Sequence, residues 1–452
     1  MFDRVLVANR GEIACRIIRA CRALGLETVA VYSEADDKAL HVELADAAHP
    51  IGPAKAADSY LNVDSILTAA RETEAEAVHP GYGFLAENAE FARAVADAGL
   101  TWIGPKPETI TDMGDKERAR LLAKGAGVPV LPGSPRYGPG DIAGIADVAQ
   151  QIGFPLLVKA SAGGGGIGMR RIDDPSELES TVTATQELAE KSFGDGTVYL
   201  EKLIDPARHV EIQVFGFGDG RAVHLFEREC SIQRRFQKVV EESPAPGLRD
   251  EVRDAMAAAA VALAIQERYR GAGTVEFVVG PDQDFYFLEM NTRIQVEHPV
   301  TEMRTGIDLV QSQILLARGD PVGHVEQSDV SVNGHAVECR IYAEKPEMKF
   351  VPSPGPLSLY APPEESEGLR IDDGVREGDQ VTFHYDPMIA KLVAHGSDRN
   401  AALDRMGRAL DDFRVDGIST NIAFLRNLMD HPRFRAGDTF TGFVESHLAD
   451  LV

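Results

Sequence analysis

Residues 274–298 read TVEFVVGPDQDFYFLEMNTRIQVEH, two β-rich runs around a Gly-Pro-Asp turn, followed by a segment, NTRIQVEH (291–298), with almost no apolar content. TVEFVV and DFYFLEMN carry the β-branched and aromatic residues of strands, so the stretch is predicted as a hairpin closed by GPDQ (280–283). Side chains alternate faces along a strand, and across a four-residue loop this sets Glu276 opposite Phe287, on the face shared by Glu289 and Asn291. Two acids and an amide then converge. Adjacent carboxylates repel, and a hard divalent cation relieves that repulsion while keeping positions for water and phosphate oxygens. Magnesium with a nucleotide is the expectation. An isolated pair of acids is more often a solvated face; Arg293 and Glu297, which follow directly, tip the balance towards an ion site.

At 452 residues the chain exceeds one ordinary core, and roughly two to four domains are expected. Its 46 basic and 71 acidic residues give a formal charge of −25, a poor match for nucleic acid or an anionic membrane surface. No apolar run reaches the roughly 18 residues of a membrane span, and the start MFDRVLVANR has no signal-peptide build. A cytoplasmic enzyme is expected. Cys15, Cys21, Cys230 and Cys339 form no CxxC pair, which argues against a disulfide framework or a zinc site. Three read as small core residues; Cys230 sits in a polar stretch, and its role is open.

RVLVAN, a helix with Ile13, Ile17, Ile18, Cys21 and Leu24 on one side, and TVAVYS read as strand, helix, strand, the start of a parallel α/β domain. AVHPGYGFL (77–85), a helix over 87–98 and TWIGP (101–105) continue it, and the domain is placed at 1–114. A second domain is placed at 115–334. In it the strand FPLLVKA (154–160) leads into the glycine segment Gly163, Gly164, Gly165 and Gly166 and then into MRRI. The formal GxGxxG here is a weak dinucleotide signal, because a strand and not a helix follows it. A strand, glycine loop, strand arrangement flanked by Lys159 and Arg170 instead reads as a hairpin whose bare amides close over phosphates. No GxxxxGK[ST] occurs, which disfavours a P-loop kinase. Beyond residue 335 the chain turns to short strands and Pro-rich turns closed by helices near 399–413 and 421–430, a separate β-rich domain over 335–452.

Taken together, ANRGEIACRIIRAC (8–21), HPGYGFLAEN (79–88), MGDK (113–116), KASAGGGGIGMR (159–170), FERECSIQRRFQKVVEESPAP (226–246), EMNTRIQVEHPVTEM (289–303) and ECRIYAE (338–344) resemble biotin carboxylase. The resemblance runs in order along nearly the whole chain. It implies an ATP-grasp fold: an N-terminal parallel α/β domain, a glycine-loop lid over about 131–203 within the second domain, and a C-terminal β-rich domain. It also implies an activity, the carboxylation of biotin on a carrier protein by ATP and bicarbonate through carboxyphosphate. The cofactors implied are ATP, one or two Mg2+ ions with Mn2+ as a substitute, bicarbonate, and biotin as the carrier-bound substrate. The partners implied are a biotin carboxyl carrier protein, a carboxyltransferase and a second copy of the chain in a homodimer.

Carried over by motif, Glu276, Glu289 and Asn291 resemble the metal ligands. Arg293, Gln295 and the Val296 backbone would bind bicarbonate, and Glu297 would act as base beside Arg293, four residues away. Arg340 would stabilise the biotin oxyanion, a role that suits a fixed guanidinium, and Lys238 would stand at the reaction centre. Lys116 and Lys159 match phosphate contacts; Glu201, His209 and Gln233 match nucleotide contacts. Alone, each lysine would more often be solvated, and Arg340 a surface ion pair.

The chain departs from the family pattern at Phe236, where histidine is usual, at Ile167, where a basic residue is usual, and at Tyr342 and Lys345. Weaker or differently gated ATP binding is the expected effect. Met348-Lys349-Phe350 resembles a biotin attachment triplet with the wrong third residue, so biotin is expected to arrive in trans. Two alternatives stay open: another ATP-grasp carboxylate ligase, and a nucleotide-binding paralogue without turnover.

Overall fold

The computed structural model describes residues 1–161 and 168–452. Five strands, β1 (Arg4–Val7), β2 (Glu27–Ser33), β3 (Ala47–Gly52), β4 (Ala77–His79) and β5 (Thr101–Trp102), form a parallel sheet in the order β3-β2-β1-β4-β5. Helix α1 (Gly11–Ala23) buries Ile13, Ile17, Ile18 and Cys21, the stripe its spacing predicts. The helix expected at 87–98 is shorter, Ala89–Asp97, because the Asn88 side chain accepts from the Phe91 amide at 2.8 Å and caps it. Glu87 is thereby left in the loop, with its side chain available to the next domain.

The lid holds a three-stranded sheet of β6 (Leu156–Ala160), β7 (Met169–Ile172) and β8 (Val198–Lys202), in the order β7-β6-β8, covered by the helix Leu178–Phe193. The loop carrying Gly163 to Gly166 and Ile167 lies outside the described residues.

The central sheet begins with β9 (Arg208–Phe217), β10 (Ala222–Arg234), β11 (Gln237–Ser243), β12 (Arg270–Val279), β13 (Phe285–Asn291) and β14 (His335–Tyr342). With Met388–Gly396 and Leu369–Asp373 it makes eight strands, in the order β13-β12-β9-β10-β11-β14, then these last two. The strands beyond residue 335 therefore do not stand apart as expected: β14 pairs antiparallel with β11, and one sheet continues from the second region into the third. After the helices Arg399–Asp412 and Ile422–Asp430 come two that the sequence reading missed, Pro432–Arg435 and Phe443–Leu451.

One register differs from expectation. Phe277 pairs with Phe287, but Glu276 pairs with Glu289, because β13 carries an extra residue, Leu288, between them. The bulge moves Glu289 directly opposite Glu276, so the two carboxylates meet more closely than simple alternation allows.

Candidate functional site

The centre of the site is the ammonium of Lys238 on β11. Its Nζ donates to Glu211 Oε2 at 2.6 Å, Glu276 Oε1 at 2.7 Å and Glu297 Oε1 at 2.7 Å. β9 supplies Glu211 and His209, which share a face by period-two spacing, and β12 supplies Glu276, placed next to Glu211 by register. His209 Nε2 lies 3.0 Å from Glu276 Oε2, and Gln233 approaches His209 Nδ1 at 3.1 Å. Behind this layer Arg228, fully buried, donates to Glu211 Oε1 at 2.6 Å, to Gln213 and to Gln295. Charges buried at this density persist only when each is paired.

Glu297 is held from both sides. Lys238 takes one oxygen and the Arg340 NH2 on β14 donates to the other at 3.0 Å; Arg340 also lies 2.5 Å from Glu241. Burial would raise the Glu297 carboxyl, but Lys238, Arg340 and Arg228 outweigh it and hold it well below the usual carboxylate range. Glu241 goes the other way, burial pushing it up to about 7 against the pull of Arg340. Burial likewise opposes ionisation of Glu276, and Lys238 and His209 reverse it.

The expected pairing of Arg293 with Glu297 does not form. Residues 292–297 are not helical, the helix beginning only at His298, so a four-residue spacing does not align the two side chains. The Arg293 Nε donates instead to Glu87 Oε2 at 2.7 Å, and its NH2 to Asn291 Oδ1 at 2.7 Å. Gln295 is buried, donating to Glu276 Oε1 at 2.9 Å, and the Val296 carbonyl accepts from the buried Lys391 Nζ at 3.0 Å.

The residues expected to hold a metal meet a direct test. Glu276 and Glu289 face each other across the bulged pair, and Asn291 Nδ2 donates to Glu276 at 2.9 Å. The Glu289 side chain reaches solvent, yet desolvation in the cleft and then the Glu276 charge push its carboxyl up. Two crowded carboxylates with an open side are a donor set that fits a hard divalent cation.

The lid residues form their own pair: Lys159 on β6 and Glu201 on β8 are joined as an ion pair. No hydrogen bond connects that pair to the Lys238 cluster among the described residues. Lys116 opens the helix Lys116–Gly125, exposed, and its charge acts on Glu289. Phe236, on the turn between β10 and β11, is 78% exposed with φ +64°. Cys230 is buried beside the cluster, its Sγ within 4.8 Å of carboxylate oxygens of Glu211 and Glu297, and burial pushes its thiol up. Sequence reasoning did not single out Glu87, Arg228, Glu211, Glu241 or Lys391. Alternation from His209 could have found Glu211; nothing local marks Lys391, since its partners come from distant segments.

A lid sheet above a central antiparallel sheet lined with acids and lysines is the ATP-grasp arrangement. Family models match residues 1–110 (biotin carboxylase, N-terminal domain), 115–325 (carbamoyl-phosphate synthase L chain, ATP binding domain) and 338–446 (biotin carboxylase C-terminal domain). The chain is 49% identical to biotin carboxylase 1 of Bacillus subtilis, over 99% of both proteins. It is 50% identical to the mitochondrial propionyl-CoA carboxylase alpha chain of Homo sapiens, covering 99% of this chain but only 62% of that protein's length. Among solved structures, the biotin carboxylase domain of Hydrogenobacter thermophilus 2-oxoglutarate carboxylase, crystallised as a dimer with MgADP, ADP and bicarbonate, matches with a TM-score of 0.92 at 45% identity, over 100% of this chain and 99% of that one. The chain belongs to the biotin carboxylase family. Among the described residues no helix is long and apolar enough to cross a membrane.

Proposed function

We propose that the chain is a ligase that carboxylates biotin on a carrier protein, using ATP and bicarbonate, as the first half-reaction of a biotin-dependent carboxylase. The observation that carries this reading is the grip of two cations on the two oxygens of Glu297. Held so, Glu297 is ionised but a poor base. An arriving anion draws Lys238 and Arg340 towards itself, and the released carboxylate gains basicity where a bicarbonate proton must be removed. The freed bicarbonate oxygen attacks the γ-phosphorus, ADP departs, and carboxyphosphate breaks into CO2 and phosphate. Phosphate takes the ureido N–H proton, Arg340 faces the charge this leaves on the ureido oxygen, and the nitrogen then bonds to CO2, the charge passing to the new carboxylate.

Arg293, Gln295 and the Val296 backbone bind bicarbonate in this reading; Lys116, Lys159, Glu201, His209 and Gln233 bind nucleotide. Glu276, Glu289 and Asn291 would hold magnesium, which when bound neutralises phosphate charge. A carrier protein, a carboxyltransferase and a homodimeric state belong to the same proposal. So does a cytoplasmic location, in keeping with the likeness to bacterial biotin carboxylases matched over 99% of this chain.

The test is ATP hydrolysis by the purified chain with bicarbonate, with and without free biotin. Biotin-stimulated turnover is expected. ATP binding without turnover, or turnover only with another carboxylate, would sink the proposal.

A further inference from the structure

Far along the chain from this cleft, the last helices bring together a second set of metal-ligating side chains. His431 stands at the junction of Ile422–Asp430 and Pro432–Arg435. His447 and Asp450 lie three residues apart on Phe443–Leu451 and so share one face of that helix. One ligand atom from each of the three comes within 4.8 Å of the others. They line a shallow, open surface depression with Asn427, Asp430 and Arg433.

Two further observations point to a ligand. The imidazoles are held in place: their ring centroids are 4.8 Å apart, and the buried Phe443 packs edge-on to His431 at 5.2 Å and tilted against His447 at 4.7 Å. His431 Nδ1 is shut away from solvent with no hydrogen-bond partner among the described residues, which leaves a ring nitrogen of this cluster free to take an ion. One group opposes a cation: the Arg433 NH1 lies 3.2 Å from His447 Nε2. That guanidinium is already paired with Asp438 at 2.6 Å and is half exposed, so it can remain on Asp438 when the imidazole is taken.

We propose that His431, His447 and Asp450 form a zinc site, separate from the magnesium site, that clamps the helix Phe443–Leu451 to the end of Ile422–Asp430. Two imidazoles and one carboxylate suit a borderline divalent ion with water in the fourth position, whereas magnesium prefers oxygen donors alone. The role is structural, since none of the three residues touches the Lys238 cluster.

The test uses the full chain, stripped with a chelator and kept in excess MgADP so that the cleft is occupied. Co2+ is titrated first, as a coloured stand-in, and then displaced by Zn2+. The expected result is one equivalent of Co2+ with the intense visible absorption of four-coordinate geometry, lost on adding Zn2+, and a melting temperature raised by Zn2+. In His447→Gln and in Asp450→Asn, both outside the catalytic machinery, affinity for Co2+ falls at least tenfold and the Zn2+-induced rise in melting temperature disappears, while biotin-dependent ATP hydrolysis is unchanged. Failure of the native chain to develop the absorption overturns the proposal, and so does undiminished Co2+ binding in both variants. Circular dichroism establishes that each variant is folded, and Asp450, exposed on the helix surface, supplies the variant least able to disturb folding.

Discussion

Lys238 is one ammonium answering three carboxylates, so its loss leaves Glu211, Glu276 and Glu297 to repel one another in a buried space. Lys238→Gln is expected to lower biotin-dependent turnover by about 100-fold or more, the size of losing one fixed charge-stabilising donor. Steady-state kinetics check this, and a loss of less than tenfold would remove Lys238 from the reaction centre. Phe236 poses a different question, because an exposed aromatic ring on a left-handed turn position can make no hydrogen bond to a ribose or phosphate. Phe236→His is expected to lower the KM for ATP several-fold and leave that for bicarbonate unchanged; an unchanged KM for ATP would show that the ring does not gate the nucleotide. At this scale the sequence was legible for residue types and not for partners. Glu297, Lys238 and Arg340 stand out by motif, but Arg293 pairs with Glu87, some two hundred positions away, and only the folded chain reveals it.

At the scale of elements, the loop 292–297 is propped from below by the strand Met388–Gly396, whose Lys391 donates to the Val296 carbonyl and lies 3.1 Å from Glu12 of α1. Lys391 thus positions a loop without touching substrate. Lys391→Met is expected to raise the KM for bicarbonate about tenfold while kcat changes by less, because the prop sets where the backbone sits and leaves the reacting groups in place. An equal fall in kcat with no change in KM would contradict this role. The hairpin 274–291 was readable from its two β-rich runs and its turn. Its bulge was not, since nothing in DFYFLEMN marks Leu288 as the extra residue; the pairing preference of the folded sheet decides it. The helix at 89–97 shows the converse, with Asn88 a recognisable cap that the periodicity of the apolar residues overran.

Across the whole molecule, α1 is tied to the later domains by buried charges. Arg16 donates to Glu302 at 2.9 Å and to Asp308 at 2.7 Å, while Arg370 donates to Glu302 at 2.7 Å. Glu302→Gln weakens both contacts while Arg16 keeps Asp308 and Arg370 keeps Asp372, a change expected to destabilise by about 1–3 kcal/mol, measured by denaturant unfolding. The N-terminal domain also carries a built-in acid sensitivity. Burial lowers His41 to about 4 and His79 to about 3, so both are neutral when folded. Their unfolded forms bind protons near pH 6.5. The unfolded chain therefore holds more protons below that point, and the stabilisation present above pH 6.5 is lost as pH falls towards 4 and 3. Glu12 and Glu241, raised to about 7, act in the opposite sense over the same range, so the histidine contribution is read as a difference: between pH 7 and pH 5 the melting temperature of His41→Gln is expected to fall less, or rise more, than that of the native chain, and identical profiles would refute it. The order of strands and helices was legible in outline here, but the union of β11 with β14 was not, because alternation tells which face a residue takes and never which strand lies beside it.

That union makes residue 334 a seam in sequence but not in the fold. A fragment ending there would strip β11 of its neighbour and lay bare a row of backbone donors and acceptors along Gln237–Ser243, a strand whose Val239, Val240, Glu241, Glu242 and Ser243 are buried in the intact chain. Unpaired edges of this kind recruit other edges. The two halves are better viewed as one folding unit with two names: residues 1–334 produced alone should emerge from size-exclusion chromatography as aggregates, and recover a single discrete species only when residues 335–452 are supplied during refolding.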